Sequence, residues 1–144
     1  MNLYLDTSAL VKRYVVEAGS DDVRRWIAEA DLVTTSLLTR AEANAAFARA
    51  VRVGSISAQT GEKAVRLLAS HWPSYVKIAV AEKTVVRAAE LAWSLGLRGY
   101  DAVHLASAEM GQSALGTSVI LVTYDRQLAE AGRQIGLDVW PMAS

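Results

Sequence analysis

The chain has 144 residues, no cysteine, and 15 lysines and arginines against 15 aspartates and glutamates. With 52% hydrophobic residues it reads as a folded protein, one domain over residues 1–144 with a sizeable core. The zero net charge excludes a broad sequence-blind nucleic-acid coat, and the absence of cysteine excludes a disulfide framework or a thiolate zinc site.

Cysteine-free composition fits a reducing compartment, and a cytoplasmic location is expected. The first residues lack the charged and long apolar regions of a secretory signal, and no apolar run is long enough for a bilayer. There are no repeats or low-complexity tracts.

Asn2-Leu3-Tyr4-Leu5 is an apolar run without alternation. That is the pattern of a parallel strand covered by helices on both faces, so it belongs in the middle of a sheet. Asp6-Thr7-Ser8 follows, and Leu10, Val11, Tyr14 and Val15 then give one side of a helix that Gly19 ends. Asp6 falls at the carboxyl edge of the sheet, where open α/β sheets bind ligands. It is also well placed to cap the helix. Ser20 is an N-cap for a second helix carrying Val23, Trp26, Ile27 and Ala30. Leu32-Val33-Thr34-Thr35 is a second strand, rich in β-branched residues.

Thr39-Arg40-Ala41-Glu42 opens the next helix, with Ala43, Ala46, Phe47 and Ala50 at helical spacing. Thr39 and Glu42 match a capping box. Glu42 is also about 40° around the helix from Ala46, at the border of the apolar face, where it can point toward the crevice. Gly54-Ser55 breaks the helix. Another runs from Ser57 to about Ser70, burying Ala64, Val65, Leu68 and Trp72, although Gly61 weakens it. After a turn at Pro73-Ser74, a third strand covers Tyr75 to Val80. Val85, Val86, Ala89, Ala92 and Trp93 mark a long helix that Gly96 closes.

Arg98-Gly99-Tyr100-Asp101 leads into an almost wholly apolar helix, Ala102 to Met110, expected deep against the sheet. Asp101 is in its first turn, as a cap or a ligand. His104 lies three residues on and is read as a hydrogen-bonded packing residue, although an Asp-x-x-His pair can bind metal. Ser118 to Val122 is the clearest strand, ending in Thr123-Tyr124-Asp125. A helix follows, then an edge strand at Leu137-Asp138-Val139-Trp140 that Pro141 stops.

Strands alternating with helices imply a parallel sheet with right-handed crossovers. Asp6, Asp101 and Asp125 then share one rim, and Glu42 can join them. Clustered carboxylates repel unless a cation neutralises them, and an all-oxygen set favours Mg²⁺ or Mn²⁺, ions suited to phosphate chemistry. No Ser-His-Asp set, Walker loop or glycine fingerprint competes.

Leu5-Asp6-Thr7-Ser8-Ala9-Leu10, Arg40-Ala41-Glu42, Tyr100-Asp101-Ala102-Val103-His104-Leu105-Ala106-Ser107-Ala108 and Thr123-Tyr124-Asp125 together resemble the motifs of PIN-domain nucleases. Among these the chain is most similar to the VapC group, the toxins of bacterial type II toxin–antitoxin pairs. The resemblance implies a three-layer α/β/α PIN-like fold around a parallel five-stranded sheet. It implies an acidic quartet of Asp6, Glu42, Asp101 and Asp125 holding Mg²⁺ or Mn²⁺, with Ser8 and Thr123 in support. It further implies an endoribonuclease that cleaves RNA through metal-activated water, forms a homodimer and is inhibited by a cognate antitoxin protein. Arg40 and Arg98 are placed either to hold flanking phosphates or as solvated surface charges.

A haloacid-dehalogenase-like phosphohydrolase also begins with a strand and an aspartate, but it wants a second aspartate where Ser8 stands. A non-catalytic binding module on the same fold would need a damaged acidic set. The apolar content and four tryptophans exceed what a small core needs, which favours association. Tyr14, Val15, Trp26 and Ile27 on the first two helices are the expected lining of an antitoxin groove.

Overall fold

The computed structural model describes residues 1–142. Its centre is a five-stranded, wholly parallel sheet in the order β3-β2-β1-β4-β5. The strands are β1 (Asn2–Leu5), β2 (Leu32–Ser36), β3 (Val76–Ile78), β4 (Val119–Val122) and β5 (Asp138–Trp140). The N-terminal strand is central, as its unbroken apolar run requires: Leu3, Tyr4 and Leu5 are wholly buried.

Strand alternation sends side chains to two separate cores. Leu3 and Leu5 pack with Val122 against α1 (Thr7–Tyr14), α3 (Leu38–Arg52) and α4 (Ala58–His71). Tyr4 and Leu121 pack on the other face with α5 (Glu82–Leu95), α6 (Gly99–Leu115) and α7 (Arg126–Gln134). The result is the expected three-layer arrangement. Among the described residues no helix is long and apolar enough to cross a membrane.

Several local expectations are corrected. The first helix stops at Tyr14, and Gly19, at φ 90°, instead begins α2 (Ser20–Glu29). A side chain at Gly19 would also meet the Tyr124 ring at under 3.0 Å. Ser20 is the first helical residue rather than the cap. Its hydroxyl accepts the Glu17 amide and donates to the Val15 carbonyl, fastening the turn between the helices. Gly61 does not weaken α4 but permits it: a Cβ there would stand 2.6 Å from Val51, so only glycine lets α3 and α4 approach.

Tyr14 and Val15 are buried and Trp26 and Ile27 pack, partly buried, against the same core, so these four serve as core. An apolar groove of about 500 Å³ lies instead between α3 and α4, lined by Phe47, Ala48, Val51, Ala58 and Val65. On α5 the core side is Thr84, Ala88 and Leu91, whereas Val85, Val86 and Trp93 face outward, Trp93 being 92% exposed.

Candidate active site

Four elements bring the predicted acids together. Asp6 follows β1, Glu42 lies in the first turns of α3, Asp101 in the first turn of α6, and Asp125 between β4 and α7. With parallel strands all four reach the carboxyl edge of the sheet. They line one small cavity of about 120 Å³ with Thr7, Ser8, Arg98, Tyr100 and His104.

Asp6 is 3% exposed, and every one of its near donors is internal. Its Oδ1 accepts the Ala9 amide (2.9 Å) and the Ser8 hydroxyl (2.7 Å), and its Oδ2 accepts the Thr123 hydroxyl (2.6 Å). Ser8 Oγ in turn accepts the Tyr124 amide, and Thr123 Oγ1 the Asp125 amide. These two hydroxyls tie the end of β1 to the β4–α7 turn, so both expected supporting residues touch the acid beside them. Ser8 stands where a dehalogenase-type site needs its second aspartate. Burial pushes the Asp6 carboxyl above the usual range, against the hydrogen bonds that favour its charge.

Glu42 is not part of a capping box. The helix begins at Leu38, and Thr39 is buried with its hydroxyl on Thr35. Freed from that role, Glu42 Oε1 accepts from Thr7 Oγ1 (2.7 Å) and lies 2.8 Å from His104 Nε2. An ionised carboxylate only accepts, so Nε2 carries the hydrogen. In the neutral ring Nδ1 then accepts from the Tyr4 hydroxyl at 2.8 Å. Burial raises the Glu42 carboxyl, but the hydrogen bonds from His104 and Thr7 outweigh it and leave the group below its ordinary value. His104 is thus a packing residue that also aims an acid, and its partner is Glu42 rather than Asp101. Tyr4 and Thr7 are the members of this relay that sequence reasoning passed over. Thr7 sits between two residues that were singled out, and Tyr4 carries a polar tip on a buried side chain of the central strand.

Asp101 does not cap α6; the N-cap Arg98 has no side-chain capping bond either. Asp101 Oδ2 instead accepts from Arg98 Nε at 3.2 Å, and Arg98 Nη2 reaches Asp125 Oδ2 at 2.9 Å. Burial first, then the Asp125 charge, pushes the Asp101 carboxyl up, with Arg98 opposing. Asp125 does cap α7, through Oδ1 and the Leu128 amide. Arg98 lies beside the acids as anticipated, whereas Arg40 stacks on Trp72.

As the side chains stand, no three acidic or histidine groups among the described residues are close enough to hold one ion. The donor chemistry nevertheless suits a hard cation. Four carboxylates supply only oxygen, and two of them, Asp6 and Asp101, are held above their usual range by burial.

A family model for the PIN domain matches residues 3–134. The chain belongs to the PIN-domain family. It is 34% identical over 139 residues to ribonuclease VapC35 of Mycobacterium tuberculosis, covering 95% of this chain and 94% of that one. It is 31% identical over 137 residues to ribonuclease VapC46 of the same species, covering 95% of each. Among solved structures, a toxin–antitoxin complex from Klebsiella pneumoniae matches with a TM-score of 0.67 at 16% identity, over 99% of both chains. That likeness is one of PIN-domain fold. The three-layer fold and the order of the motifs therefore agree with the membership.

Proposed function

We propose that this protein is an endoribonuclease, a hydrolase of RNA phosphodiester bonds, and the toxin of a type II toxin–antitoxin pair. In this reading it is a single nuclease domain over residues 1–144, acts in the cytoplasm with Mg²⁺ or Mn²⁺, works as a homodimer and is inhibited by a cognate antitoxin protein. The observation that carries the reading is the convergence of Asp6, Glu42, Asp101 and Asp125 from four elements on one cavity. The curated relatives are ribonucleases, and a toxin–antitoxin complex shares the fold, which supports the substrate and partner classes.

Asp6 and Asp101 would hold the first cation, and Glu42 and Asp125 would assist it or hold a second. A bound divalent ion supplies charge against the phosphate and makes water acidic enough to attack at neutral pH. The chain's own groups then position. Ser8 and Thr123 fix both oxygens of Asp6, and Thr7 and His104 fix one oxygen of Glu42. Arg98, half-exposed at the mouth beside the Tyr100 ring, offers a guanidinium to a flanking phosphate. The outward Val85, Val86 and Trp93 of α5 supply apolar surface for the homodimer.

Purified protein incubated with single-stranded RNA tests this directly. Fragments are expected with Mn²⁺ or Mg²⁺ and none with EDTA. Intact RNA across millimolar amounts of both metals contradicts it.

A further inference from the structure

We infer that Arg98 serves as a built-in cation between Asp101 and Asp125, so that these carboxylates take up a divalent ion only in exchange for its guanidinium. The inference rests on the metal-binding reading of the acidic quartet and adds to it a residue that sets metal affinity.

The geometry is specific. Nη2 of Arg98 lies 3.1 Å from Asp101 Oδ2 and 2.9 Å from Asp125 Oδ2, and Nε lies 3.2 Å from the same Asp101 oxygen. One nitrogen thus bridges the two oxygens that face the cavity. The remaining Asp125 oxygen accepts the Leu128 amide that begins α7. A hard cation binds carboxylate oxygen at about 2.1 Å. An ion shared by these two oxygens would have to stand where Nη2 stands, and two positive groups cannot share that place.

The exchange is also physically easy. The Arg98 side chain is 55% exposed against 5% for Asp101, so water can solvate the guanidinium once it swings out, and the incoming ion takes over the buried carboxylate. While it bridges the acids its guanidinium also lies 4.9 Å over the Tyr100 ring, at the rim of the site. A guanidinium brings one positive charge to two acids, with Asp6 and Glu42 close behind. A divalent ion brings two, so the swap favours the ion once it is abundant. Arginine suits the task because its fork can reach two carboxylates at once, which a lysine ammonium does less well.

The test is Mn²⁺ titration by calorimetry on the whole protein, the Arg98→Gln variant and the Arg126→Gln variant. Arg126 is exposed, follows Asp125 in the chain and, among the described residues, makes no ion pair with either acid, so it controls for removing one charge from this rim. Arg98→Gln is expected to bind Mn²⁺ about three- to tenfold more tightly, the range that losing one or two exposed competing ion pairs gives. Arg126→Gln is expected to change little. In the unmutated protein, the Arg98 Nε–H resonance is expected to move on adding Mg²⁺. Equal or weaker binding by Arg98→Gln, an equal gain in Arg126→Gln, or an unmoved Arg98 resonance overturns the inference while leaving the metal site intact. Failure of the unmutated protein and both variants alike to bind Mn²⁺ overturns the metal site as well.

Discussion

Asp6 and Asp125 divide their carboxylates in the same way: Oδ1 of each accepts the amide three residues on, from Ala9 or Leu128, at 2.9 Å. Oδ2 is then left for a tertiary partner, Thr123 for Asp6 and Arg98 for Asp125. Capping and site chemistry are therefore not rival roles at these positions. The cap fixes the carboxylate at the strand end, and the second oxygen meets the tertiary partner.

Substitution at Asp125 separates the two oxygens. Asp125→Asn retains a capping oxygen and should unfold like the parent, whereas Asp125→Ala should lose about 1 kcal/mol of stability. Both should lose cleavage to a similar degree. Urea unfolding beside an RNA cleavage assay checks this; parental activity in Asp125→Asn would reduce the residue to a cap.

The Tyr4–His104–Glu42 relay predicts a different pattern. Tyr4→Phe leaves a buried imidazole nitrogen without its partner and should cost about 1–3 kcal/mol. His104→Ala also frees Glu42, and loss of a residue that orients an acid at a metal site typically costs about 10- to 100-fold in affinity or activity. Chemical unfolding and Mn²⁺ titration read the two effects, and undiminished Mn²⁺ affinity in folded His104→Ala would show that Glu42 needs no such support.

The pH dependence follows from the raised Asp6 and Asp101 carboxyls. Each binds its proton more tightly in the folded state. Its contribution to stability is therefore full below the unfolded pKa, about 3.9, and is lost as pH rises through the folded one. Glu42, held low, does the opposite: its contribution is present above its unfolded pKa and is lost as pH falls through the folded value. Without metal, Asp6→Asn should thus gain stability over the parent at neutral pH, and the gain should shrink on acidification. Mn²⁺ binding should weaken as protons compete for the same two acids. Melting temperatures across pH check both, and a gain that grew toward acid would have the wrong sign.

Association is predicted through the outer face of α5. Trp93→Glu removes the most exposed large apolar side chain there without touching the core. Sedimentation should show a dimeric parent and a folded, monomeric variant. A monomeric parent at high micromolar concentration contradicts the homodimer.

Much of this was legible in the chain itself. The unalternating Leu3-Tyr4-Leu5 run located the central strand, and Asp6 and Asp125, each following a strand, located the rim. What could not be read was direction within a helix turn. Thr39 and Glu42 have capping-box spacing, yet Thr39 is drawn into the core by Thr35 and Glu42 is drawn across by His104. The first is a local contact across the β2–α3 turn, and the second joins residues far apart in the chain, so tertiary packing creates it. The helix that Val85, Val86 and Trp93 mark is present as α5, but which of its sides is buried was not legible. Val85, Val86 and Trp93 have helical spacing, but periodicity does not say which of two apolar sides meets the sheet, and Ala88 and Leu91 do.

The central claim is that these carboxylates bind the metal that cleaves RNA. Its most direct test is RNA cleavage in Mn²⁺ by Asp6→Asn and Asp101→Asn proteins shown to be folded. Each substitution keeps side-chain shape and removes one negative ligand. Because a catalytic metal contributes several kcal/mol, cleavage should fall by about a hundredfold or more. Folded variants that cut RNA at the parental rate would contradict the account.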